Sequence, residues 1–200
     1  MGFDLSDGEF LVKSARKVIA SYLASGERLK IDAEEKFRKR LGVFVTLESH
    51  PKMELRGCIG YPYPTEPLIT ALTNAAISAA VHDPRFPPVT KKEFEKLIVE
   101  ITVLTEPKPI EVKDRKDMPN HVKVGKHGLI IEYGPFSGLL LPQVAVDYHW
   151  SAEEFLAQVC WKAGLSPDTW LDKHAHVYCF EGQIFSEQEP NGKVVEKKTG

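Results

Sequence analysis

The sequence has few cysteines, little net charge and no long apolar run, and each shortage excludes something. Only three cysteines occur in 200 residues. Cys58, Cys160 and Cys179 form an odd, widely spaced set. That is neither a disulfide framework nor a zinc ribbon, and it points to a reducing, cytoplasmic setting. The formal charge is −2, from 26 basic and 28 acidic residues. Neutralising phosphates takes a basic excess, so a dedicated nucleic-acid binder is not expected. No apolar run approaches the roughly 20 residues that span a bilayer, so no membrane role is expected either. Residues Met1 to Glu9 are polar and acidic and do not read as a signal peptide. A Walker loop, a dinucleotide fingerprint, a GxSxG elbow and an HExxH pair are also missing.

What is present suits one domain, or two small ones sharing a core. A chain of this size buries about 70% of its unfolded surface and needs no covalent staples. Seven of the 14 prolines lie between Pro51 and Pro88. Each fixes its own φ and restricts its predecessor, so this stretch is stiff.

Local signals predict the elements. Ser6 to Glu9 reads as a capping box, opening a helix that ends at Gly26. Asp32 to Leu41 reads as a second, charged helix with Ala33, Phe37 and Leu41 on one face. Gly42 to Leu47 and Leu55 to Tyr61 read as paired strands. Leu68 to Val81 is an alanine-rich helix, stopped by Asp83-Pro84. Thr90 to Glu93 is a further capping box, and Leu97 to Thr105 alternates as a strand, with Ile98, Glu100 and Thr102 on one face. Pro107 to His121 reads as a long connection. Gly128 to Leu141 reads as a hairpin about Gly134-Pro135, followed by a helix opened by Ser151 to Glu154. His176 to Phe185 is the last strand expected, and residues 186–200 read as a loosely ordered tail. The three tryptophans are most simply core or staple residues. Helices mixed with antiparallel hairpins predict an α+β fold rather than a doubly wound sheet.

Five segments could carry chemistry. In Leu55-Arg56-Gly57-Cys58-Ile59-Gly60 an arginine precedes a cysteine flanked by glycines. A neighbouring guanidinium favours thiolate, which makes a nucleophile. The bland alternative is a small buried cysteine in a tightly packed strand. Gly57 to Gly60 also spells the loop of KH-type RNA modules, but its flanks are strand-like. In Asp83-Pro84-Arg85-Phe86-Pro87-Pro88 the prolines hold Arg85 extended, ready to take a carboxylate or phosphate. The alternative is a structural Arg85–Asp83 pair. His127, between glycines, could act as acid, base or ligand, or be a turn residue. Gln143, amid apolar residues, needs partners if buried and could face a ligand. His174 and His176 share a strand face, but no third metal ligand is evident, so no metal is assigned. Cys160 and Cys179 read as inert packing.

Taken together, these segments resemble the AMMECR family, named for the Alport, midface-hypoplasia and elliptocytosis chromosomal-region protein. The resemblance runs from about Leu5 to Phe185. It is carried by the cysteine segment, by Asp83 to Pro88, by Gly125-Lys126-His127-Gly128-Leu129, by Leu141 to Ala145, and by Trp150 with Phe155-Leu156. It implies an α+β module of two interlocked subdomains. It implies no agreed reaction and no known cofactor. It also implies an association with Memo-type and radical-SAM proteins. On matching positions it carries over Arg56, Gly57, Cys58, Gly60, Asp83, Arg85, His127 and Gln143.

Two classes of function follow. The first is an enzyme acting on a small anionic substrate or a protein side chain. There Cys58, His127 and Arg56 are catalytic, while Arg85, Asp83, Gln143, Gly57 and Gly60 bind the ligand. The second is a non-catalytic adaptor that binds a protein or peptide, with Tyr61 and Phe86 as anchors.

Overall fold

Backbone donors at helix starts must find acceptors, and the computed structural model shows which side chains supply them. It describes residues 2–63 and 65–197. Pro64 of the stiff stretch and residues 198–200 of the expected tail lie outside the described residues. The chain divides into two compact units. Among the described residues, the first is built from those up to Leu104 and from Gln183 to Lys197, the second from Thr105 to Gly182. The fold is α+β with antiparallel strands throughout.

In the first unit, helix α1 is Leu5–Ser25 and is capped by Asp4, not Ser6. Asp4 Oδ1 accepts from the Asp7 N–H at 2.9 Å, and the Asp7 carboxylate accepts in return from Asp4 N–H. A carboxylate is the stronger acceptor for these orphan donors, so the box sits two residues earlier than expected. Gly26 ends the helix with φ 73°, a left-handed conformation that suits glycine. Leu11, Val12, Ala15, Val18 and Ile19 form the buried face.

Strands β1 (Gly42–Ser49), β2 (Leu55–Tyr61) and β3 (Leu97–Leu104) make an antiparallel sheet with β1 in the middle. Val43, Val45 and Leu47 point to one face and are fully buried. There they meet α1 and helix α2, Leu68–Val81, whose alanines allow close approach. Thr46 and Glu48 point to the other face, by the period of two. A short helix α3, Lys91–Phe94, opens with the expected capping box at Thr90.

Three further expectations change in this unit. Asp32 to Leu41 yields only a 3₁₀ turn, Glu35–Arg38. Phe37 is its single buried residue, and one apolar anchor gives a longer helix no reason to form. All of β3 is buried, so its alternation does not separate a wet face from a dry one. Residues 186–197 are not loose. Strand β7 runs His176–Glu187, and β8, Val194–Lys197, pairs with it from Ile184↔Lys197 to Glu187↔Val194. The reason is long-range. Arg16, buried on α1, donates from Nε to Glu187 Oε1 at 2.5 Å and from Nη2 to Glu187 Oε2 and to the Leu97 carbonyl. Glu187 Oε2 also accepts from Val99 N–H at 3.0 Å.

The second unit holds β4 (Lys108–Pro109), a 3₁₀ turn at Arg115–His121, β5 (His127–Tyr133) and β6 (Phe136–Leu140). Helices α4 (Pro142–Asp147) and α5 (Ala152–Lys162) follow. Gly134, at φ 56°, makes the two-residue hairpin turn between β5 and β6. Residues His176 to Glu181 of β7 pair with β5. Leu129, Ile131, Phe155, Leu156, Val159, Cys160, Trp170 and Val177 form this unit's core. Trp161 is not core: it is 70% exposed. All three cysteines are free.

The Arg16–Glu187 pair sets a test. Glu187→Ala leaves a buried guanidinium uncompensated, so urea denaturation should show a loss of about 3–5 kcal/mol. Lys13→Ala, at an exposed pair with Glu9, should cost under about 0.5 kcal/mol.

Candidate functional site: the Cys58 segment

Strand β2 has a glycine where helix α2 passes. A Cβ placed on Gly57 would lie 2.2 Å from the Ala79 carbonyl oxygen. No side chain fits there, so helix and strand meet backbone to backbone. A Cβ on Gly60 would lie 2.2 Å from the Phe44 ring. The room beside both glycines is therefore filled by the protein itself.

The close approach brings the end of α2 to Cys58. Asp83, two residues past the helix, is buried, with its side chain 2% exposed. Its Oδ2 accepts from the Cys58 N–H at 2.8 Å. Arg85 answers with two parallel bonds, Nε to Asp83 Oδ1 at 2.9 Å and Nη2 to Oδ2 at 2.7 Å. The same Nη2 donates to the Cys58 carbonyl at 3.2 Å. One bidentate ion pair thus holds both main-chain groups of Cys58. The guanidinium keeps the Asp83 carboxyl well below the usual carboxylate range, against the upward push of burial. Asp83 in turn raises Arg85. Arg85 is half-exposed, so its outer edge faces solvent.

Arg56 shares a strand face with Cys58, as the alternation requires, but its charge goes elsewhere. Nε donates to Glu93 Oε1 at 2.5 Å, and Nη2 donates to Glu93 Oε2 at 3.2 Å and to the Pro87 carbonyl at 2.8 Å. The Phe86 ring lies against both guanidiniums, with Arg56 Cζ 5.7 Å and Arg85 Cζ 5.4 Å from its centroid. The proline-rich segment is thereby tied to both arginines.

The thiol itself is not the thiolate that a neighbouring arginine suggests. Burial pushes the Cys58 thiol up, outweighing the lowering effects of the Thr46 hydroxyl and Arg85, while Asp83 and Glu100 push it further up. Thr46 Oγ1, directly across on β1, is 3.4 Å from Sγ.

His127 and Gln143 belong to the second unit. His127 opens β5 after Gly125, which has φ 81°. Its Nδ1 accepts from the Lys123 N–H at 3.2 Å, and burial holds its imidazole below the ordinary histidine value. Gln143 follows Pro142 in the first turn of α4, and its Oε1 is buried without a hydrogen-bond partner. Among the described residues, no group of three or more His, Cys, Asp or Glu is placed to hold a metal ion. Nor is any helix among them long and apolar enough to cross a membrane.

Arg56, Cys58, Asp83 and Arg85 are marked in the sequence by neighbouring glycines and prolines, whereas Thr46 and Glu93 are not. Glu93 was visible only as a helix cap. Thr46 needed the strand register.

An α+β chain with this cysteine strand and this aspartate–arginine clasp belongs to the AMMECR1 family, whose model matches residues 12–185. Protein MJ0810 of Methanocaldococcus jannaschii is 53% identical over 195 residues, covering 97% of this chain and 96% of that protein. A Thermococcus gammatolerans protein is 52% identical over 195 residues, 95% of each. The crystal structure of the uncharacterized protein PH0010 from Pyrococcus horikoshii superposes with a TM-score of 0.89 at 49% identity, over 96% of both chains.

The glycine contact is testable. Gly57→Ala forces helix and strand apart and should cost about 2 kcal/mol or more. That is a fall of roughly 4 °C or more in Tm by calorimetry.

Proposed function

We propose that the Cys58 segment is the working site of a cysteine-dependent enzyme. Cys58 is the reacting thiol. The exposed edge of Arg85 receives a small anionic substrate or a charged protein side chain. Asp83 fixes Arg85, and Arg56 stiffens the Pro84 to Pro88 rim through Glu93 and the Pro87 carbonyl. One observation carries this: a bidentate ion pair grips the N–H and the carbonyl of the cysteine residue itself. Packing alone does not ask for a buried aspartate there, since burying a carboxylate is costly. Holding a thiol at a set distance from a cationic edge does ask for it. Gly57 and Gly60 serve by letting Ala79 and Phe44 approach. His127, whose imidazole burial holds below the ordinary histidine value, and Gln143 remain candidate residues of the second unit. A reducing cytoplasm suits three free cysteines.

The alternative is a non-catalytic adaptor. Its motivating feature is Tyr61, 39% exposed at the end of β2, with Phe86 in contact with two guanidiniums.

Thiol alkylation separates the two. In the folded protein, iodoacetamide should modify Cys58 well ahead of Cys160, which is fully buried and whose thiol burial pushes up to about 11. Because burial raises the Cys58 thiol, the rate should climb with pH and inflect above the ordinary value of about 8.5. A folded protein whose Cys58 stays unmodified up to pH 10 has no reacting thiol, and the adaptor assignment then stands. In that case Arg85→Ala should lose a captured partner that Cys58→Ser keeps.

A further inference from the structure

The face of the sheet that carries Cys58 also carries a row of polar side chains. Register sets the row: Cys58 on β2 faces Thr46 on β1, and Thr46 faces Glu100 on β3. Two residues on from Thr46, on the same face, is Glu48. Both carboxylates meet one cation. Lys197, from the far end of β8, donates to Glu100 Oε2 at 2.5 Å and lies 3.9 Å from Glu48 Oε2. That Glu48 oxygen is buried and makes no hydrogen bond. Glu100 is 9% exposed, while Lys197 is more open. Glu48, crowded by burial and by Glu100, is raised from its ordinary value despite Lys197.

The other charges around Cys58 cancel. On the α2 side, Asp83 is matched by Arg85. On β2 and α3, Arg56 is matched by Glu93. Among the described ion pairs of this face, the Glu48–Lys197–Glu100 group is uneven, with two acids and one base. The charge imbalance of the site therefore lies on the Glu100 side of Thr46.

We propose that Glu100, gripped by Lys197 and crowded by Glu48, is the positioning group that adjusts, on top of burial, when Cys58 becomes a thiolate. The control rests on the reading of Cys58 as the reacting thiol. It works across Thr46. Burial does most to hold the proton on sulfur, the Glu100 carboxylate adds to it, and Lys197 offsets that addition. The thiol is thus kept as a thiol at rest and released when the carboxylate charge is further covered. Lys197 lies outside the residues that the family model matches, so the C-terminal strand supplies a control that the matched segment does not contain.

The test is the pH dependence of Cys58 alkylation by iodoacetamide, followed on the Cys58 peptide by mass spectrometry. Wild type is compared with Glu100→Gln, Lys197→Met and, as an exposed control, Glu9→Gln. Circular dichroism checks that each is folded. Below the midpoint the rate tracks the thiolate fraction. Glu100→Gln should therefore react roughly three- to ten-fold faster at a fixed pH, and Lys197→Met slower by a similar factor. Glu9→Gln should match wild type. Opposite shifts are a signature that loosened packing does not give, since loosening speeds both. If Cys58 titrates and the two variants leave its midpoint unmoved, or move it the same way, the control by Glu100 is overturned while the reactive thiol survives. If Cys58 does not react at any pH in the folded wild type, the thiol assignment fails and the control fails with it. Removing Lys197 leaves Glu100 without its cation, so Lys197→Gln, which keeps a donor toward Glu100 while removing the charge, is the second variant that decides the matter if Lys197→Met or Glu100→Gln does not fold.

Discussion

The contact between Gly57 and the Ala79 carbonyl is the constraint on which the first unit depends. The strand cannot come this close to the helix carbonyl if its residue at the crossing carries a side chain. The alanines of α2 and the glycine of β2 remove that obstacle together. Once helix and strand lie this near, the residue two past the helix end is within reach of the next amide on the strand. Asp83 then takes the Cys58 N–H, and its burial calls for a cation, which Arg85 supplies. The prolines beside Arg85 cut the number of shapes that segment explores. A steric fact thus leads to an electrostatic one, and that to a fixed cysteine.

The charges of the site spend themselves on geometry. Arg56 and Arg85 are each saturated on one side by a carboxylate and a main-chain carbonyl. They orient the strand and the rim more than they build a positive field around sulfur. This explains why two arginines near a cysteine do not produce a thiolate. Desolvation acts directly on the thiol, whereas each guanidinium is already answered by its own acid.

Where the information is local, the sequence is enough to read it. The bounds of α2, the β1–β2 pair, the hairpin at Gly134 and the capping boxes at Thr90 and Ser151 all follow from residues within a few positions of one another. The cysteine, aspartate and two arginines were legible for the same reason, since glycine and proline mark their segments. What escaped was long-range. The strand at residues 194–197 is short and set among charges, and the Arg16–Glu187 tie, 171 residues apart in sequence, shows what orders that end of the chain. Asp32 to Leu41 has the composition of a helix but too little buried surface to support one. Glu100 was visible as a charge within an apolar strand. Its tie to Lys197 was not, because no local pattern links β3 to a lysine 97 residues later.

The chain order of the units has a consequence for how the protein is made. The second unit is continuous, from Thr105 to Gly182, while the first resumes only at Gln183. Arg16 leaves the ribosome early but meets its carboxylate only when almost the whole chain has emerged. Until then the first unit holds a cation with no acid to bury beside it. Domains normally fold in the order of their synthesis. Here the inserted unit is complete while its older neighbour is still waiting for its last strands. A nascent chain stalled before Glu187 therefore carries a finished middle and an unfinished beginning.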